Sequence, residues 1–461
     1  MQIPVLIQVL LIFGLVVAAS AKKVHLGLAA ALGGILFALW RGLPPLDLAL
    51  TVGSELLNPD TLLLLALVIV IMVFSAAMKK AGAMHLFSQA LGALVPSRRL
   101  ALALAPLIIG TLPMPGGAIL SAPLVDSFDP DRARGPATLS AANYWFRHSM
   151  ELAWPLYPAF ILTATLSGLS VGRLILLNFY AIPVLFGLGL IFILPRQHET
   201  ALALRIDGLT SQGGQVAEGA NGIAGAGSVS ASLTDGGSRR ARLSLVVQGF
   251  APLLIVLGVY GLLDLIWRQM SPGLGLPAAA TALIGRYAWI FCGLAAGLVY
   301  VVRRYGRPAI RGSLSAATLK LAAVVAGIRV FAALLGAGGV AVAAATELAA
   351  AGIPFLAAVA ILPFVAGLVT GVGFGYVGLS FPIILGLAPA DGSFPLTAMV
   401  ALAGAFGYAG MMLSPLHVCM VVTATHFGTS LLATIRRFAL PLILFVVVAI
   451  AYVALLARFK G

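Results

Sequence analysis

Charge is what this sequence lacks most. Of 461 residues, 9% are charged and only 14 are acidic. A soluble domain carries about 25% charged residues, so a water-facing globular exterior is excluded. Cysteine is almost absent. Cys292 and Cys419 both lie inside apolar runs, and read as small core residues rather than as a disulfide or metal pair. Enzyme signatures are missing too. There is no HExxH, the nearest string being His148-Ser-Met-Glu151 with the wrong spacing, and no P-loop. Neither a TVGYG filter nor an Arg-rich voltage-sensor helix is present. The chain is therefore read as a non-enzyme without an organic cofactor.

What fills the sequence is apolar. Hydrophobic residues make up 61% and the mean hydropathy is +1.09, the signature of an all-α polytopic membrane protein. A formal charge of +14 would point to nucleic acid in a soluble chain. Here it marks cytoplasmic loops facing anionic lipid, and no nucleic-acid partner is expected. Runs near the ~20 residues that span a bilayer are 3–20, 24–40, 61–78, 151–169, 174–194, 245–266, 287–302, 314–335, 396–421 and 438–457. AASA before Lys22 resembles a signal-peptidase site, but the basic pair follows the apolar run instead of preceding it, so a retained first helix is expected.

Two further apolar stretches cannot be straight spans. Pro106 to Pro123 reads PLIIGTLPMPGGAILSAP, with Pro113, Pro115, Gly116 and Gly117 at its middle. Two prolines remove donors and two glycines weaken what remains. Freed backbone groups are tolerated at membrane depth only inside protein or beside water, so the stretch reads as a re-entrant hairpin. Pro363 to Pro382, PFVAGLVTGVGFGYVGLSFP, repeats it with Thr370, Gly371, Gly373 and Gly375 at the centre. The register can be counted: Pro106 to Pro363 and Gly110 to Gly367 are 257 residues apart. Ser121 to Ser380 and Pro123 to Pro382 are 259 apart, and Pro155 to Pro415 is 260. The expected organisation is two repeats, 1–195 (hairpin about 101–127) and 245–461 (hairpin about 355–389), each of three spans, a hairpin and two spans. Residues 196–244, rich in Gly, Ser and Ala, read as a disordered cytoplasmic linker. An odd number of crossings per half inverts the second repeat. With both termini outside the inner membrane, 20 of the 28 Lys and Arg fall in cytoplasmic connections and 6 outside, as the positive-inside rule requires. Segments 81–94, 135–150 and 339–351 read as interfacial helices.

Paired interrupted segments point to a transporter's binding site. Half-helix ends aim backbone N–H groups at one spot, which suits an anion. The hydroxyls of Thr111, Ser121, Thr370 and Ser380 suit sodium; the alternative is that Gly and Pro only permit close packing. In Asn143 to Pro158, NYWFRHSMELAWPLYP, helical spacing puts Arg147, His148 and Glu151 on one face. Glu151 with His148 would bind a coupling proton and Arg147 an anion, against the alternative of an interfacial ion pair. The matched break in the second half offers Ser414 and His417, the latter a proton carrier or a packed core histidine. Arg329 snorkels or meets substrate, while Glu55, Asp264 and Glu347 meet headgroups.

The two interrupted hairpins, and the string GTLPMPGGAILSAPLVDSF in particular, resemble the ion transporter superfamily. That group includes the divalent-anion/sodium symporters, gluconate and lactate permeases and the membrane subunits of TRAP carriers; the string itself is similar to a prokaryotic branch named only as a domain of unknown function. The resemblance implies a homodimer with a scaffold and a moving transport domain, an elevator. In the characterised sodium symporters the tips carry Ser-Asn-Thr, where this chain has Thr111-Leu-Pro-Met-Pro and Thr370-Gly-Val-Gly. The expected function is secondary transport of a small anion, an organic carboxylate, coupled to Na+ or H+. A sodium/proton antiporter, a channel and a non-transporting scaffold are the alternatives.

Overall fold

The computed structural model describes residues 3–22, 24–82, 95, 97–113, 117–196, 239–339, 343, 346–347, 350, 354–387 and 394–458. All regular structure among them is helical. In chain order the first half holds α1 (Val5–Ala21), α2 (Leu26–Trp40), α3 (Pro45–Leu56), α4 (Pro59–Lys80), α5 (Arg98–Gly110), α6 (Ala118–Phe128), α7 (Pro136–His148), α8 (Pro158–Ser167), α9 (Val171–Asn178) and α10 (Ala181–Leu188). The second holds α11 (Arg239–Met270), α12 (Ala278–Leu283), α13 (Trp289–Tyr305), α14 (Ala316–Ala337), α15 (Phe355–Thr370), α16 (Gly373–Gly386), α17 (Leu396–Leu413), α18 (Val418–Phe427) and α19 (Leu431–Arg458).

Among the described residues, seven helical segments are long and apolar enough to cross a membrane: Pro59–Lys80, Val171–Ile193, Val247–Gly273, Ala278–Tyr305, Ala316–Ala337, Leu396–Phe427 and Leu431–Arg458. The protein is thus an all-helical, multi-pass membrane protein. Its outer helices show the two faces that lipid demands. On α19, Phe438, Leu442, Phe445 and Ala449 are buried, while Leu440, Ile443, Val447 and Ile450 are exposed. Where helices meet inside, small residues let backbones touch. A Cβ on Gly27 of α2 would lie 2.7 Å from the Val324 Cα of α14, and one on Gly327 of α14 would strike the Gly27 backbone.

Two expectations are corrected here. The run 151–169 is not a continuous span: α7 ends at His148, residues 149–157 are irregular, and α8 begins at Pro158. Pro158 fits at the first helical turn, whose N–H has no partner to lose, and Pro155 cannot extend a helix through the stretch. Segment 135–150 is not interfacial either, because every residue from Thr138 to His148 is buried. Segments 81–94 and 339–351 fall mostly, and the tip residues Pro115 and Gly116 wholly, outside the described residues, as does most of the 196–244 segment. Helix α3 occupies a stretch that lies outside every expected span; none of its residues is buried.

The halves match in detail. α8 and α18 each have 10 residues, and each ends on a left-handed glycine, Gly168 and Gly428, 260 positions apart. The next helix in each half is capped by a serine at the same offset: Ser170 accepts from Arg173 N and Ser430 from Ala433 N. Packing also exchanges between halves. α5 lies on α7 as α15 lies on α17, and α6 packs on α18 as α16 packs on α8.

Candidate functional site

The arms α5 and α6 pack on each other, as do α15 and α16, and the two tips reach the same place by way of the two broken helices. In the first half the Gly110 backbone rests against Arg147 O, where a Cβ would collide. In the second, Gly367 rests in the same manner on Gly407 O, and Arg147 and Gly407 are again 260 apart. Gly371, whose φ of +64° favours glycine, closes α15 directly on the second break: a Cβ there would lie 2.8 Å from both His417 N and Ser414 Oγ.

Arg147 and Glu151 do not share a helix face. The helix ends between them, so Arg147 turns to the first tip and Glu151 to the second. A Cβ on Gly117 would overlap the Arg147 guanidinium, and one on Gly373, the first residue of α16, would lie 2.7 Å from Glu151 Oε1. The nine-residue break thus joins both tips. Arg147 is 3% exposed. Its Nε and Nη1 have no partner among the described residues. Buried guanidinium donors left without partners are costly.

Between the tips lies a buried polar group. His148 Nδ1 is 2.7 Å from Glu151 Oε2, the pairing that i,i+3 spacing implies. The His148 and His417 rings meet edge to face at 4.6 Å. Tyr144 Oη lies 3.1 Å from His417 Nδ1 and donates to Met412 O at 3.3 Å. Asn143 Nδ2 donates to Thr423 Oγ1 at 3.0 Å, tying α7 to α18. The first tip is braced from the break: Trp154 Nε1 donates to Thr111 O at 2.8 Å and Tyr157 Oη to Gly110 O at 2.5 Å. Beside Glu151 is a cavity of about 20 Å³ lined in part by Thr163, Asn178, Tyr376 and Gly404, room for about one water.

The four hydroxyls expected to offer oxygen to sodium each have a partner for their proton. Each donates to its own helix: Thr111 to Ile108 O, Ser121 to Gly117 O, Thr370 to Ala366 O and Ser380 to Tyr376 O. Thr370 packs over Gly375, and Pro113 O accepts from Ser75 of α4 at 3.1 Å. Ser414 Oγ accepts from Leu416 N, closing the break. Arg329 does not snorkel; it pairs with Glu55 at 2.8 Å and lies 3.5 Å from Asp60, which also binds Arg286 at 2.7 Å. Asp264 pairs with Arg268, and Glu347 accepts from Val5 N. The string Gly168-Leu-Ser-Val-Gly172 has the GxSxG spacing of hydrolase nucleophiles, but it joins two helices and its serine is a cap, whereas a nucleophile elbow joins strand to helix.

Cys419 is the residue the sequence reading missed. It is buried, and its Sγ and one ring nitrogen each of His148 and His417 all lie within 4.8 Å of one another. The signal was present as His417-Val-Cys419 directly after a Ser-Pro break.

A solved structure of similar fold is described as "Crystal structure of the Alcanivorax borkumensis YdaH transporter reveals an unusual topology". It aligns over 91% of this chain and 90% of that one, with a TM-score of 0.53 and 16% identity. No curated protein sequence matches the chain. The family described as "Protein of unknown function (DUF401)" matches residues 5–207 and 288–456, leaving out most of the central segment and helices α11 and α12. That match takes in both hairpins, both broken helices and every residue of the buried polar group, and the chain belongs to the DUF401 family.

Proposed function

We propose that this protein is a secondary transporter of a small anion, of the organic carboxylate class, with the cargo held between the two hairpin tips. The observation that carries the proposal is the buried Arg147 guanidinium, seated on Gly117 with Nε and Nη1 unpartnered among the described residues. A carboxylate answers that geometry with two acceptors. The neighbouring start of α6 adds backbone N–H groups and the positive end of a helix. The similar fold of a protein titled a transporter supports the reading.

The cavity beside Glu151 holds only about 20 Å³. A cargo of several carbons therefore enters when a tip moves, which is alternating access. The reciprocal packing of the halves supports inverted-topology repeats with re-entrant hairpins, and the positive-inside count supports termini outside the inner membrane. On the resemblance to the ion transporter superfamily, the hairpins and broken helices form the moving domain of a dimeric elevator.

Purified protein is screened by thermal shift against carboxylates, in sodium and in potassium, because ligand binding raises the melting temperature by mass action. Wild type responds to a carboxylate and saturates; Arg147→Gln does not respond. An unchanged response in Arg147→Gln, or flux in proteoliposomes that never saturates and shows no counterflow, overturns the reading. A second reading, sodium/proton antiport without organic cargo, is favoured by the buried His148–Glu151 pair at 2.7 Å. It requires a pH-gradient dye response to sodium with no solute added.

A further inference from the structure

We propose that His148, His417 and Cys419 form a binding site for a thiophilic transition-metal ion of the Zn2+ or Cu+ class, pinning the broken helix of the first half to that of the second. The proposal stands apart from the transport reading.

Geometry gives it three supports. The ligand atoms lie within 4.8 Å of one another and all three residues are buried. Zn–N and Zn–S bonds of about 2.0 and 2.3 Å place tetrahedral ligands about 3.3–3.6 Å apart, so the group needs to close by about 1 Å. Both histidines are also already oriented as metal ligands are. His148 Nδ1 is held by Glu151 Oε2 at 2.7 Å. His417 Nδ1 is held by Tyr144 Oη, whose own proton goes to Met412 O. A ligating histidine gives its second nitrogen to a carboxylate or another oxygen acceptor in this way, which leaves each Nε2 lone pair for the ion. Finally, His148 Nε2 is buried without a hydrogen-bond partner among the described residues, and an orphan of that kind calls for an explanation.

The donor set selects the ion. One thiolate and two imidazoles suit Zn2+ or Cu+, whereas Mg2+ and Ca2+ take oxygen ligands. Three protein ligands leave a fourth position open. With Arg147 next to His148 in the chain, that position suits water or an anion better than a fourth side chain.

The test uses the full-length protein in detergent, dialysed against Zn2+ and then against metal-free buffer, with bound metal counted by mass spectrometry. Wild type and Cys292→Ser retain one ion per chain. Cys419→Ser and His417→Gln lose it, or bind at least tenfold more weakly. Co2+ loading of wild type provides a readout that needs no variant: a sulfur-to-metal charge-transfer band with intense visible bands marks a tetrahedral thiolate site. Retention of the ion in Cys419→Ser, loss of it in Cys292→Ser, or Co2+ bound without the sulfur band overturns the proposal.

Discussion

Gly371→Ala tests the central claim about the site, that the second hairpin tip is wedged against the second broken helix. Gly371 has φ +64° and Gly428 has φ +65°, and both close a helix. A Cβ at Gly428 meets nothing within 4 Å, whereas one at Gly371 lies 2.8 Å from His417 N and from Ser414 Oγ. Alanine therefore carries the same backbone penalty at both positions, about 1–2 kcal/mol for a left-handed non-glycine residue. Only at Gly371 does it add overpacking, another ~1–3 kcal/mol. His417 N is backbone and cannot rotate away, and Ser414 Oγ is held by its hydrogen bond from Leu416 N, so relief comes only from moving the tip. Gly371→Ala should lose about 2–5 kcal/mol and Gly428→Ala about 1–2.

The assay is unfolding in mixed micelles titrated with SDS, followed by tryptophan emission. Trp154, one of five tryptophans, is hydrogen-bonded to Thr111 O and contributes the first tip's share of that signal. The same variants are then tested for carboxylate-induced stabilisation, which Gly428→Ala should keep and Gly371→Ala should lose, since no charge is altered in either. Equal destabilisation by the two variants would refute the wedge, and with it the shared pocket.

Glu151→Ala leaves His148 Nδ1 without its 2.7 Å partner in a buried site and should cost about 3–5 kcal/mol in the same unfolding titration. A cost below about 1 kcal/mol would mean that the pair is hydrated. Asp60→Ala strips Arg286 of its 2.7 Å partner; because both side chains are partly exposed, about 1–3 kcal/mol is expected, with Glu55 still holding Arg329. Gly327→Val should separate α2 from α14, because the added side chain strikes the Gly27 backbone. Low folded yield on gel filtration is expected there, and recovery of wild-type yield would show that the helices do not touch. Trp154→Phe removes one buried donor to the first tip and should cost about 1–2 kcal/mol.

The helix breaks in the two Gly- and Pro-bearing stretches were legible because glycine and proline change the backbone itself, and their spacing repeats at 257 to 260. Arg147, His148 and Glu151 stood out because charge is rare in this chain, but their burial was not legible, since the same segment reads equally as an interfacial helix with an ion pair at its end. The split between Arg147 and Glu151 was not legible: a periodicity argument presumes an unbroken helix, and the break begins at Ser149, six residues before Pro155. Nor was Cys419, because a thiol inside an apolar run reads as packing until a fold brings histidines 148 and 417 to it. The helix Pro45–Leu56 escaped because its exposed leucines, Leu46 and Leu50, fall in a stretch too short to span a membrane.

The matched positions also show how two halves of similar packing can carry a single charged slot. At the first tip, glycine is on the hairpin and the large side chain on the broken helix: Arg147 covers Gly117. At the second the roles are exchanged, Tyr376 covering Gly407, with 259 residues from Gly117 to Tyr376 and 260 from Arg147 to Gly407. Both arrangements fill the same gap between hairpin and helix, so packing alone demands only one bulky group per half, on either side. Packing does not demand that one of them be a buried cation with two donor nitrogens unpartnered among the described residues, which costs more than an aromatic ring in the same space. Tyr408 and Met411 stand where the first half has His148 and Glu151, so the matched positions of the second broken helix carry no charge. Shape is conserved between the halves and charge is not, and that is the arrangement expected if Arg147 is retained for what it binds.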